Sequence, residues 1–256
     1  MRNELNLEKN SLFVAIVSLI FVSATIQFVP IFLATSSACT PDFAFGTPTT
    51  AHVLRGYTVL MGVSLIGECG FSGSIVWGAS VTAPSFNSQD GIGIHRPTYH
   101  PIVLSPSQPT GAASFQAITT KNTMLTTWTI TVTAFDASAG LRHSVNLALI
   151  VEDFTISANP TNVRTSVGQT VTSTVTATSI NGFSGQIFYS GLLSPYPVSP
   201  ESCNLQPPQP TLSSGGSVAS TLTCNFNAKG TYTMFESAYQ FCCDTSRNAT
   251  ITFVVS

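Results

Sequence analysis

An internal repeat narrows the fold more than any other feature of this chain. Gly70-Phe71-Ser72-Gly73 and Gly182-Phe183-Ser184-Gly185 are identical tetrapeptides 112 residues apart, and Gly56 and Gly168 keep that spacing. Longer strings flank them. Pro41-Asp42-Phe43-Ala44-Phe45 corresponds to Glu152-Asp153-Phe154-Thr155-Ile156, and the run ending at Trp77 corresponds to the run ending at Tyr189. A period of about 105–112 residues is that of a whole domain rather than of a solenoid unit. The expected organisation is therefore a leader over residues 1–38, a first domain over 39–151 and a second over 152–256. The junction Val151-Glu152-Asp153-Phe154 contains no Gly, Pro or Ser. The last strand of the first copy is thus predicted to run straight into the first strand of the second. The first copy is longer and less repeat-like at residues 79–102.

Within each copy the hydrophobic period is two. Every even position from Thr170 to Thr178 is threonine, while the odd positions are apolar or small. That pattern is a strand with one face to a core and one to solvent. Thr127 to Thr133 repeats it with Trp128, Ile130 and Val132 inward, and Tyr232 with Met234, then Ile251, Phe253 and Val255, keep the register. Gly, Pro, Asn and Ser clusters separate the runs at short spacing, as in a β-sandwich. Composition fits this reading. Charged residues make up 8% of the chain, against about 25% in an average protein. The 32 serines and 34 threonines hydrate the surface instead, and β-branched threonine favours extended backbone. A net charge of −2 with no basic excess argues against a nucleic-acid partner, and 43% hydrophobic residues argue against disorder. The fold class expected is all-β: two tandem sandwiches preceded by an apolar N-terminal helix.

Several of these strings together resemble a family. Asp153-Phe154-Thr155-Ile156-Ser157-Ala158-Asn159-Pro160, Ser166-Val167-Gly168, Asn181-Gly182-Phe183-Ser184-Gly185, Leu212-Ser213-Ser214-Gly215-Gly216-Ser217 and Gly230-Thr231-Tyr232-Thr233 occur in this order. They are similar to the immunoglobulin-like (Ig-like) repeats of large secreted and cell-surface proteins of archaea and some bacteria. The resemblance covers almost all of residues 153–256 and, more loosely, 42–151. It implies a seven-stranded Ig-like sandwich in an extracellular setting. The family has no common catalytic residues to carry over.

The N-terminus agrees with export. No charged residue stands between Lys9 and Asp42, and Leu12 to Ala34 is almost continuously apolar. A helix of that length reaches roughly 34 Å, enough to cross a bilayer core of about 30 Å. One reading is an uncleaved signal anchor with the N-terminus inside and the rest outside, so that residues 12–34 contact the membrane. The other is a secretory signal cleaved at the small residues Ser36-Ser37-Ala38. All six cysteines lie beyond this segment, so disulfides are the expected state in an oxidising compartment. Cys39 and Cys69 fall near opposite positions of two adjacent antiparallel strands. The family resemblance implies a Cys203–Cys224 bridge. Cys242 and Cys243 remain, either bonded to each other or with one of them taking Cys203 or Cys224. Asn248-Ala249-Thr250 is a glycosylation sequon.

A chemical site is harder to find. His95, Arg96, Tyr99 and His100 lie in a Gly- and Pro-rich stretch with Asp90 nearby, which makes a candidate binding loop. The spacing fits neither a helix face nor one face of a strand, so no metal is assigned, and no motif implies a cofactor. There is no Gly-x-Ser-x-Gly elbow, and Glu68 and Glu236 are acids without an evident mate. The reading is non-enzymatic: an exported structural or adhesive cell-envelope protein, with envelope proteins or glycans as partners. The alternatives are a pilus-like filament subunit, or a secreted carbohydrate- or metal-binding module that uses residues 79–102.

Overall fold

A computed structural model of the chain describes residues 39–85, 90–96, 100–195, 202–240 and 246–256. The apolar segment, Tyr99, Cys242 and Cys243 lie outside these residues. The described residues contain strands and no helix, and so no helix long and apolar enough to cross a membrane.

The first copy opens with β1 (Asp42–Phe45), which pairs antiparallel with β3 (Thr58–Glu68). Its continuation, β2 (Thr50–Leu54), changes sheets and pairs parallel with β9 (Leu141–Asn159). β3 pairs with β7 (Thr110–Ile118), and β7 with the short β5 (Gly93–His95). The facing sheet holds β4 (Gly73–Ala83), flanked by β6 (Ile102–Leu104) and β8 (Thr127–Asp136), and β8 pairs with β9.

The second copy repeats this plan. The second half of β9 pairs antiparallel with β11 (Thr170–Ile180), as β1 does with β3. The chain then changes sheets, and β10 (Asn162–Thr165) pairs parallel with β18 (Arg247–Val255), as β2 does with β9. β11 continues to β16 (Ser217–Asn225) and β14 (Ser202–Gln206), and β18 to β17 (Gly230–Tyr239) and β13 (Phe188–Ser194). β12 (Gly185–Gln186) and β15 (Thr211–Leu212) form a small ribbon. Each copy is an Ig-like β-sandwich. Its segments exceed the seven strands implied by the resemblance because the first strand divides between two sheets and short pairs form at the rims.

β9 crosses the junction without a break, so the last strand of the first copy and the first strand of the second are one strand. Through it one sheet runs β14-β16-β11-β9-β8-β4-β6 across both copies, and Thr40–Ser256 forms a single compact unit. The 112-residue offset holds from β2 through β4. It then shortens because the first copy has the longer connection between β4 and β7, where the sequence departs from the repeat.

The core follows the alternation. Trp128, Ile130, Val132, Ile251 and Phe253 are fully buried, and Tyr232, Met234 and Val255 nearly so, while the threonines between them face outward. Phe71 and Phe183 of the repeated tetrapeptide are both buried, as are Ile75 and Ile187. The repeat extends to backbone conformation. Cys69 with Gly70, and Asn181 with Gly182, all have positive φ, which is the two-residue hairpin-turn geometry that favours Asn-Gly.

Candidate functional site

Three places concentrate chemistry. The first is the junction. Asp153 of β9 is completely buried and pairs with Arg55, from the turn after β2, and with Arg247, at the start of β18. Its Oδ1 also accepts the Phe154 amide at 2.7 Å. Arg247 lies over the Phe154 ring, 5.1 Å from its centre, and donates to the Arg55 carbonyl. The Asn181 side-chain Nδ2 donates to the Val151 carbonyl at 2.7 Å, and the Arg55 backbone amide to the Glu152 carbonyl at 2.9 Å. Leu54 of the first copy packs into the apolar cluster of Phe154, Phe183 and Leu212 of the second. Charge, hydrogen bonds and packing from both copies therefore converge on one buried carboxylate.

The same arrangement recurs in the first copy in a more exposed form. Asp42 takes the place of Asp153 and its Oδ1 accepts the Phe43 amide at 2.7 Å. His143 takes the place of Arg247, 2.8 Å from Asp42 and edge-on to Phe43. The hydrogen bond to His143 is the main reason that the Asp42 carboxyl lies below its ordinary value. Each copy thus ties its first strand to its last beside a phenylalanine, by carboxyl to imidazole in the first copy and carboxylate to guanidinium in the second. Only the second pair is buried, and only it takes an arginine from the other copy.

The second place is the interior of the second copy. Glu236 occupies a core position of β17 and is 2% exposed. Burial pushes its carboxyl up to about 7. Gly191, opposite it on β13, is the residue that makes room, since a Cβ there would stand 2.6 Å from Oε1. Burial, and then the Glu236 charge, raise the Tyr189 phenol to about 12. The two border a cavity of about 220 Å³ with Leu205, Leu222 and Cys203. The sequence marked Glu236 only as an unpartnered acid. Its inward parity with Met234 and Ala238 was the available signal.

The third place is a groove of about 430 Å³ on the outer face of β4, β8 and β9. Val76, Phe135 and Arg142 form one cross-strand row, with Val76 49% and Phe135 41% exposed. Gly78 and Thr133 form the next row. Arg96 arrives from the loop after β5 and lies beside the bare Gly78 position. It donates to the Trp77 carbonyl at 3.1 Å, 5.9 Å from the indole centre. No acid lines the groove among the described residues.

Of the described residues of the candidate loop, Arg96 enters this groove and His95 and His100 do not. His95, opposite Gln116, and His100 are exposed, and no metal-ligating cluster of three forms among the described residues. Cys39 and Cys69 are each disulfide-bonded. Cys203 and Cys224 are direct partners in the β14–β16 register and form a disulfide. Asn248 is exposed on β18, where its Oδ1 accepts the Ser237 hydroxyl at 2.9 Å.

No family model and no curated protein matches the chain. Solved structures do. The titin I9–I11 tandem is 11% identical over 84% of this chain and 65% of its own, with a TM-score of 0.38. Domains 4 and 5 of the S-layer protein SbsC are 14% identical over 75% and 82%, with a TM-score of 0.30. The sialic-acid-binding region of a Streptococcus sanguinis adhesin is 10% identical over 84% and 78%, also at 0.30. Likeness at this level says nothing of partner or activity, and the Ig-like assignment rests on the strand pairing described above.

Proposed function

We propose that this chain is an exported cell-envelope protein with a structural or adhesive role. It presents two Ig-like modules, residues 39–151 and 152–256, as one rigid unit, with bridges Cys203–Cys224 and Cys39–Cys69. The observation that carries the reading is the junction: a shared strand and a buried Asp153 held by an arginine from each copy. Such a joint fixes one module relative to the next, which is what a display or scaffold protein requires. The disulfides suit an oxidising compartment, and a threonine- and serine-rich face remains hydrated without charge.

Mass spectrometry of the mature N-terminus in cell fractions, with alkylation to count free thiols, tests the proposal. Intact Met1 in the membrane fraction supports an anchor, and cleavage after Ala38 supports secretion. Processing near Lys9 would favour the filament reading. A cytosolic chain with all six cysteines reduced would overturn export altogether.

A further inference from the structure

We propose that the groove on the outer face of β4, β8 and β9 binds an anionic saccharide. Phe135 and Val76 supply an exposed apolar floor, and Arg142 and Arg96 supply the charge. The proposal deepens the adhesive reading and rests on it only for the setting in which the ligand is met.

Four features of the groove point to this chemistry. Its volume, about 430 Å³, lies within the usual range for small-ligand sites of about 300–1,000 Å³. Two guanidiniums line it and no acid does among the described residues, in a chain with only nine Lys and Arg in all. A planar guanidinium fork matches a carboxylate or sulfate with two parallel hydrogen bonds. Arg142 is exposed on its strand with Phe135 as its direct cross-strand partner, so one ligand can lie on the ring while its anionic group meets the fork.

The surroundings favour a sugar over a peptide. β8 pairs with a neighbour on each side, and on β4, which beyond Ile75 pairs with β8 alone, the Arg96 side chain already takes the Trp77 carbonyl that a peptide strand would need. The outward rows from Thr133 onward carry hydroxyls and an amide instead. Thr133 meets Ser144 at 3.0 Å, Thr131 meets Asn146 at 2.8 Å, and Thr82 meets Thr131 at 2.9 Å. These groups can exchange hydrogen bonds with the hydroxyls of a second sugar unit. Gly78 keeps the floor open between the two arginines, because a side chain there would fill the space beside Arg96.

Isothermal titration of the purified protein tests the site with three probes: a galacturonic acid trisaccharide, a sulfated galactose trisaccharide and neutral galactotriose. The acidic probes are expected to bind, more weakly as ionic strength rises, and galactotriose at least tenfold more weakly. The carboxylated and sulfated arms distinguish the two sources of charge. Arg142→Ala should weaken acidic binding about tenfold or more while the circular dichroism spectrum and melting temperature stay unchanged. Arg142→Lys should recover only part of the loss, because the charge returns without the fork. Phe135→Ala should weaken binding of every probe. Equal affinity for the neutral sugar, no binding of either acidic probe, or full affinity in Arg142→Ala would overturn the proposal. These outcomes are separate from export, which N-terminal mass spectrometry decides.

Discussion

The Asp42–His143 and Asp153–Arg247 pairs show at the scale of single residues how burial sets the weight of one geometry. Both acids accept the following amide at 2.7 Å, and both partners, the His143 imidazole and the Arg247 guanidinium, lie against the next phenylalanine. Asp42 and His143 are each more than a third exposed, so solvent screens their attraction. His143→Ala should cost about 0–1 kcal/mol in urea unfolding. Arg247→Ala leaves Asp153 buried with one partner fewer and should cost about 3–5 kcal/mol in the same assay. Equal costs would mean that burial is not what separates the two pairs. Glu236 makes a second residue-scale case, with the opposite sign to a salt-bridged acid. Its carboxyl is raised from 4.5 to about 7 in the folded chain, so between these values the folded state holds a proton that the unfolded state has lost. That contribution to stability is full below about pH 4.5, falls as pH rises towards 7 and levels off above it. Glu236→Gln should remove the decline and be the more stable protein at pH 8, by about 1–3 kcal/mol. An unchanged slope in the variant would show that Glu236 ionises freely in the fold.

Turns and strands carry the repeat at the scale of elements. Gly70 and Gly182 take φ of +74° and +89°, each after a non-glycine residue that also has positive φ. Gly182→Ala should cost about 1–2 kcal/mol, read from the unfolding midpoint, because its backbone is one that a Cβ opposes. Replacing both Cys203 and Cys224 by serine should cost about 3 kcal/mol on the loop-entropy view, for a bridge spanning 21 residues. These elements were legible in the sequence because their signals are local. Threonine alternation marked the two-faced strands, and the tetrapeptide marked the turns. The change of sheet between β1 and β2 was not legible, since nothing local in Gly46-Thr47-Pro48 says which sheet receives the next strand. The groove was legible only in part. Arg96 stood out in its loop, but Phe135 and Arg142 are neighbours only through the register of β8 and β9. Asp153 was recognised as a repeat position. Its burial depends on Arg55, almost a hundred residues earlier, and on Arg247, almost a hundred later.

At the scale of the whole molecule, the proposed role requires the two modules to behave as one body. β9 belongs to both, and the Arg55–Asp153–Arg247 cluster and Leu54 close the joint from either side. Modules joined by a flexible linker would unfold independently, whereas modules sharing a strand and a buried charge cannot lose one without exposing the other. Differential scanning calorimetry of residues 39–256 tests this most directly. One transition is expected, with its calorimetric enthalpy equal to its van 't Hoff enthalpy, and Asp153→Ala should split it into two. Two independent transitions in the unmodified protein would contradict the one-body behaviour.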